Sequence, residues 1–129
     1  MDDAVRIQNS PQQVGALGED LAVAELKRQG LEVLARNWRC PIGELDVVAV
    51  EDVGGRRTLV FCEVKTRTGL GFGSPLESIT TAKLRRLRYL AAQWLVTEGT
   101  HADAIRIDAV GVVMLRDEPP RLTHVRGIG

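Results

Sequence analysis

Two acids and a lysine carry most of the chemistry that this chain can offer. Asp46 stands in the apolar run Leu45-Asp46-Val47-Val48, and Glu63 and Lys65 stand in Phe61-Cys62-Glu63-Val64-Lys65. Carboxylates embedded among residues that are ordinarily buried are costly unless their charge is compensated. Between the two runs lies Val53-Gly54-Gly55-Arg56, a hairpin signal, because paired glycines tolerate the positive φ angles of a tight turn. With Gly54 and Gly55 at the centre of that turn, antiparallel register sets Asp46 opposite Glu63, Glu44 opposite Lys65 and Val48 opposite Phe61. Alternation puts Asp46, Glu63 and Lys65 on one face, and Leu45, Val47, Val60, Cys62 and Val64 on the other. Facing carboxylates repel each other, and a divalent cation resolves the repulsion. Mg²⁺ in particular binds through one or two carboxylates and keeps positions for water and phosphate oxygens. Lys65 adds a mobile cationic donor that can stabilise charge on a phosphate or orient an attacking water. The plainer alternative is a salt-bridge cluster of Glu44, Asp46, Glu63 and Lys65 that needs no metal.

Those residues need a scaffold, and hydrophobic periodicity supplies one. Pro11 to Gln29 has apolar residues at helical spacing, with Gly30 where such a helix would stop. Leu31 to Ala35 reads as a short strand, Gly43 to Val50 as a longer one, and Thr58 to Thr66 as the strand returning from the hairpin. Gly69, Gly71, Gly73 and Pro75 mark a loop able to close over a nucleic-acid strand; lacking a following Gly-Lys-Ser/Thr, it is not a P-loop. Helical periodicity resumes from Leu76 to Thr97. Ile105 to Leu115 is the last long strand, and Arg121 to Val125 is expected as an edge strand after Pro119-Pro120. Helix, three strands, helix and one or two strands imply a mixed sheet with helices packed on it.

Glu19 follows Gly18 within the first helix. A mid-helix glycine costs ~1 kcal/mol relative to alanine, so it needs a packing or functional reason. Close approach of helix to sheet is such a reason, and it would let Glu19 reach the metal; an exposed helix glutamate is the alternative. Asp108 is expected to be a buried structural acid, His101 and His124 surface residues, and Trp38 part of the core. Cys62 reads as a small buried hydrophobe, and neither it nor Cys40 has zinc spacing.

Among 129 residues, 17 Lys+Arg balance 17 Asp+Glu, so total charge does not favour a polyanionic partner. Base nevertheless clusters at Arg36 and Arg39, at Arg56 and Arg57, at Lys65 and Arg67, and at Lys83, Arg85, Arg86 and Arg88, which allows a basic face. Met1 to Ser10 lacks the apolar core of a signal peptide, and no stretch approaches the ~20 apolar residues of a membrane span. A cytoplasmic protein without membrane contact is expected.

Asp46 on one strand, followed by Glu63-Val64-Lys65 on the next, resembles the PD-(D/E)xK signature of restriction-endonuclease-like nucleases, with Leu45 where the signature's name has proline. Glu19 extends the likeness, because archaeal Holliday junction resolvases carry a further catalytic glutamate on the first helix. A closer similarity, over nearly the whole chain, is to the YraN family of bacterial proteins. It rests on Gly15-Ala16-Leu17-Gly18-Glu19, Asn37-Trp38-Arg39, Gly43-Glu44-Leu45-Asp46, Phe61 to Arg67 and Arg106-Ile107-Asp108.

The resemblance implies an α/β, restriction-endonuclease-like fold, similar to that of Holliday junction resolvases, with a mixed central sheet flanked by helices. It implies one nuclease-like domain over 11–129 behind a flexible segment, 1–10. Glu19, Asp46 and Glu63 would hold Mg²⁺ or Mn²⁺, Lys65 would complete the catalytic set, and Arg39, Thr66, Arg67 and Lys83 would contact nucleic acid. The implied activity is metal-dependent endonucleolytic hydrolysis of phosphodiester bonds, on branched or structured DNA rather than a read sequence. The alternative is a module that binds nucleic acid or a partner and keeps the nuclease fold without turnover. A homodimer is compatible with either.

Overall fold

Cross-strand pairing accounts for most of the architecture. The computed structural model describes residues 10–69 and 74–129. Its elements are α1 (Pro11–Arg28), β1 (Glu32–Cys40), β2 (Gly43–Val53), β3 (Arg56–Arg67), a 3-10 turn (Pro75–Ser78), α2 (Thr81–Glu98), β4 (Ala104–Val113) and β5 (Arg121–Val125). The strands form one five-stranded sheet in the order β1-β2-β3-β4-β5. Every neighbouring pair is antiparallel except β3 and β4, which run parallel. Parallel strands cannot be joined by a tight turn, and α2 lies in the connection between them.

Local sequence sets the helix ends. Ser10 caps α1: its Oγ accepts from the Gln13 amide at 3.2 Å while Gln13 Oε1 accepts from the Ser10 amide at 2.7 Å. Such a reciprocal box satisfies two amides that the first turn leaves unpaired. Gly30, at φ +96°, ends this helix, as its position predicts. Thr80 caps α2, its Oγ1 accepting from the Lys83 amide at 3.1 Å, and Gly99 closes it in a left-handed conformation.

Both faces of the sheet are covered. Val47, Ala49, Val60, Cys62 and Val110 pack against Ala22, Val23 and Leu26 of α1. On the opposite face Val48, Val50, Leu59 and Phe61 pack against Leu87, Leu90 and Trp94 of α2. Burial on both sides is why β2 and β3 read as unbroken apolar runs. At about 1.5–3 kcal/mol per large side chain, these contacts dominate the stabilisation.

The predicted hairpin register holds: Val48 pairs with Phe61 and Val53 with Arg56, around Gly54 and Gly55 at φ +59° and +78°. Elsewhere the boundaries move. The first strand runs on through Asn37 to Cys40 because it pairs along β2. Helix 76–97 divides at Ser78-Ile79-Thr80, where Thr80 becomes a cap, and the last long strand stops at Val113. Ser10 belongs to the fold, whereas the rest of the expected flexible segment and most of the glycine loop lie outside the described residues. Among the described residues, no helix is long and apolar enough to cross a membrane.

Candidate functional site

A fork between two strands holds the acids. The β2–β3 ladder runs from the hairpin only as far as Val47–Cys62. Beyond it β2 stays on β1, through Trp38–Leu45 to Cys40–Gly43, while β3 stays on β4, from Glu63–Ala109 to Arg67–Val113. Asp46 and Glu63 sit where the strands part. The Val64 amide donates to Asp46 Oδ2 at 2.9 Å, so the acid's side chain takes an amide that strand pairing leaves over. The expected Asp46–Glu63 and Glu44–Lys65 ladder pairs therefore do not form. Leu45 is also corrected: it packs in the α2-side cluster, not with Val47. The step from Arg36–Val47 to Trp38–Leu45 skips Asn37 and Asp46, and Asn37 is left-handed at φ +55°. At this step simple alternation fails, since Val47 packs on the α1 side and Leu45 on the α2 side.

Asp46 and Glu63 are still brought together. Burial, then the Glu63 charge and a hydrogen bond with that carboxyl, together with Glu19, push the Asp46 pKa up to about 7, against the Val64 bond. Glu63 is buried, and two ammonium groups meet its Oε2: Lys83 Nζ at 2.7 Å and Lys65 Nζ at 3.6 Å. The Lys83 ammonium, and then burial, hold Lys65 below the ordinary lysine range. Burial works against the Lys83 charge, but its bonds to Glu63 and Lys65 outweigh it and raise the pKa.

Glu19 approaches from the α1 side. It is 8% exposed, so it is not a solvated helix glutamate. Its Oε1 accepts from Arg36 Nε at 2.9 Å and from Asn37 Nδ2 at 3.0 Å, and Arg36 also bonds Asp20 at 2.6 Å. The reason for Gly18 is close approach: a Cβ there would stand 1.9 Å from Thr66 Oγ1. Arg36 and Asn37 were not among the predicted site residues. The Asn37-Trp38-Arg39 motif was their signal, but the role belongs to its first residue and to the arginine before it.

Two hollows meet at the fork. One, on the α2 side, is lined by Asp46, Glu63, Lys65, Lys83 and Arg86. The other is a groove along α1, lined by Glu19, Arg39, Asp46, Lys65, Thr66 and Arg67 among others. Asp46 and Lys65 face both. The predicted nucleic-acid contacts are thus divided: Arg39, Thr66 and Arg67 on the groove, and Lys83 in the recess. Arg39 is exposed and paired with Glu44, and Thr66 lies against Gly18.

Oxygen-only donors with water access suit a hard cation such as Mg²⁺ or Mn²⁺. Among the described residues, however, no group of three His, Cys, Asp or Glu is gathered as metal ligands. Asp46 and Glu63 fit as a two-carboxylate site, with Glu19 turned toward Arg36 and Asn37.

Of the other residues singled out, Asp108 is fully buried and bonded to Arg106 and Gly127. His124 is a correction: it is half-buried with its side chain only 7% exposed, Nε2 2.8 Å from Asp108 Oδ2 and Nδ1 3.1 Å from Gln29 Oε1, because β5 pairs beside β4. His101 is exposed beside Asp103. Trp38 stacks edge-on against Trp94 at 5.7 Å. Burial, followed by nearby carboxylates, raises the Cys62 pKa and makes it a poor nucleophile.

This is an α/β protein whose mixed, mostly antiparallel sheet opens into an acid–lysine site between two helices. The chain belongs to the UPF0102 family, described as an uncharacterised protein family, whose model matches residues 18–112. That is the YraN-type membership expected from the motifs. It is 51% identical over 117 residues to a UPF0102 protein of Mycobacterium ulcerans, covering 91% of this chain and 94% of that relative. Similar relatives are UPF0102 proteins of Mycobacterium avium, 52% identical with coverage of 91% and 90%, and of Beutenbergia cavernae, 52% identical with coverage of 90% and 95%.

Proposed function

We propose that this protein is a metal-dependent endonuclease of the restriction-endonuclease-like, PD-(D/E)xK kind, hydrolysing phosphodiester bonds in branched or structured DNA. One observation carries the reading: Asp46 and Glu63 share a strand fork with Lys65, at the meeting of a recess and an open groove. Mg²⁺ or Mn²⁺ held by Asp46 and Glu63, with Glu19 alongside, would supply Lewis-acid stabilisation of the phosphate and acidify a bound water. The rest is the work of the chain. The Val64 amide fixes the direction of Asp46, while Arg36 and Asn37 fix Glu19. Lys65, its pKa lowered beside Lys83, orients the attacking water or donates to a phosphate oxygen. Arg39 and Arg67 line the groove where a strand's phosphates would pass.

The test is incubation of the protein with junction, flap and linear DNA in Mn²⁺. Wild type is expected to cleave a structured substrate, and Lys65→Ala to lose about 10²-fold or more in rate. Equal cleavage by the two would remove Lys65 from the mechanism.

A second reading is favoured by the Lys83–Glu63 ion pair and the lack of a three-acid cluster among the described residues: a nucleic-acid-binding module without turnover. It predicts DNA binding by wild type, no cleavage in either metal, and no thermal stabilisation by Mn²⁺.

A further inference from the structure

The nearer of the two lysines on Glu63 comes from another element. Lys83 lies in the first turn of α2, where its amide is anchored to Thr80 Oγ1, and its Nζ reaches Glu63 Oε2 at 2.7 Å. Lys65, two residues away on the same strand, comes only to 3.6 Å of that oxygen. The Glu63 side chain is 7% exposed and that of Lys83 is 35% exposed, so the acid is enclosed while the ammonium has a path outward.

We propose that the Lys83 ammonium is an internal counter-ion that a divalent cation must displace from Glu63, so that Lys83 sets the metal affinity of the site. The proposal rests on the metal-dependent reading above and adds a residue to it. A hard dication bonds a carboxylate oxygen at about 2.0–2.1 Å, and an ammonium already held by the same oxygen would stand within a few ångströms of it. Two like charges so close in a half-buried recess repel strongly, so the two cations exchange at Glu63. Lysine suits the exchange: its point charge rides on a flexible four-carbon stem, and the displaced group can swing toward a phosphate in the recess it lines. With the metal absent, the same ion pair keeps a buried carboxylate compensated.

Calorimetric titration of Mn²⁺ into the full chain tests this without relying on activity. Lys83→Gln is expected to bind Mn²⁺ about tenfold more tightly than wild type, because one charge-assisted hydrogen bond no longer has to be broken. Lys83→Arg is expected to stay near wild type. Arg86→Gln removes one positive charge from the same recess, and its gain is expected to be under about threefold. Lys83→Met gives a second uncharged variant should Lys83→Gln fail to fold. A gain at Lys83 no larger than at Arg86 overturns the exchange and leaves the metal site standing. Absence of Mn²⁺ binding in wild type and all variants overturns the metal-dependent reading itself.

Discussion

The amide of Val64 donates to Oδ2 of Asp46 at 2.9 Å, just beyond the last β2–β3 ladder pair, Val47–Cys62. The bond draws a carboxylate into a place where burial and Glu63 raise its pKa to about 7. A carboxyl with a raised pKa makes the folded chain hold a proton that the unfolded chain releases. Its contribution to stability is full below the ordinary value of 3.8 and is lost as pH rises through about 7. Without metal, wild type is therefore expected to lose melting temperature relative to Asp46→Asn between about pH 4 and about pH 8, the asparagine melting higher at the alkaline end. Melts of both proteins in EDTA check this. A constant difference across the interval would mean that Asp46 ionises like an exposed acid.

Gly18 and Thr66 hold α1 against the sheet. An added Cβ at Gly18 would meet Thr66 Oγ1 at 1.9 Å and Thr66 Cβ at 2.9 Å. Gly18→Ala gains helix propensity worth ~1 kcal/mol, yet overpacking against a strand costs about 1–3 kcal/mol and displaces Glu19 along with the helix. Net destabilisation is expected in urea unfolding. Adding Thr66→Ala should recover only part of it, because the Cβ of residue 66 remains in the way. Full recovery would place the strain elsewhere.

How much of this was legible in the sequence differs from residue to residue. The turn at Gly54-Gly55 was, because two positive φ angles are a local demand that only certain residues meet, and register follows from the turn. The proximity of Asp46 and Glu63 followed from the register. The divergence of the strands beyond Val47–Cys62 did not, since it depends on β2 keeping β1 as its partner and β3 keeping β4. Leu45 was assigned to the wrong face because that reading assumed strict alternation, which fails between Val47 and Leu45 where β2 has left β3. His124 looked like a surface residue because nothing in Arg121 to Val125 reveals what β4 holds beneath it. Burial of Glu19 was foreshadowed by its glycine neighbour, but its partners lie 17 and 18 residues away, on another strand.

Asn37 is expected to matter more than its type indicates. It combines a left-handed backbone at φ +55° with a bond to Glu19 Oε1 at 3.0 Å. Asn37→Gly keeps the backbone geometry and loses the bond, whereas Asn37→Ala loses both, since alanine is strained in that region by about 1–2 kcal/mol. The alanine variant should therefore be the less stable in denaturant titration. If the site is a metal centre, both variants should weaken Mn²⁺ binding relative to wild type. A glycine variant less stable than alanine would show that the φ angle carries no strain.

Asp108 closes the other end of the α1 face. It is fully buried and accepts from Arg106 Nε at 2.8 Å, Arg106 Nη2 at 3.0 Å and the Gly127 amide at 2.9 Å, with His124 Nε2 at 2.8 Å. Burial opposes its charge, but Arg106, Gly127 and His124 outweigh it and lower the pKa. A lowered carboxylate pKa contributes stability that is present above the ordinary value of 3.8 and is lost as pH falls through the folded value. Asp108→Asn puts an amide donor against Arg106, which keeps Glu51 as its other carboxylate at 3.0 Å, so the cost is at the low end for a broken buried pair, about 3 kcal/mol. Urea unfolding near neutral pH is expected to show that loss, and the variant should lack the share of acid destabilisation that wild type owes to this group. Because Gly127 and His124 hang on the same carboxylate, hydrogen exchange should accelerate first in β5 and the segment after it, with β2 and β3 still protected. Uniform acceleration across the sheet would instead mean that β5 unfolds only with the whole.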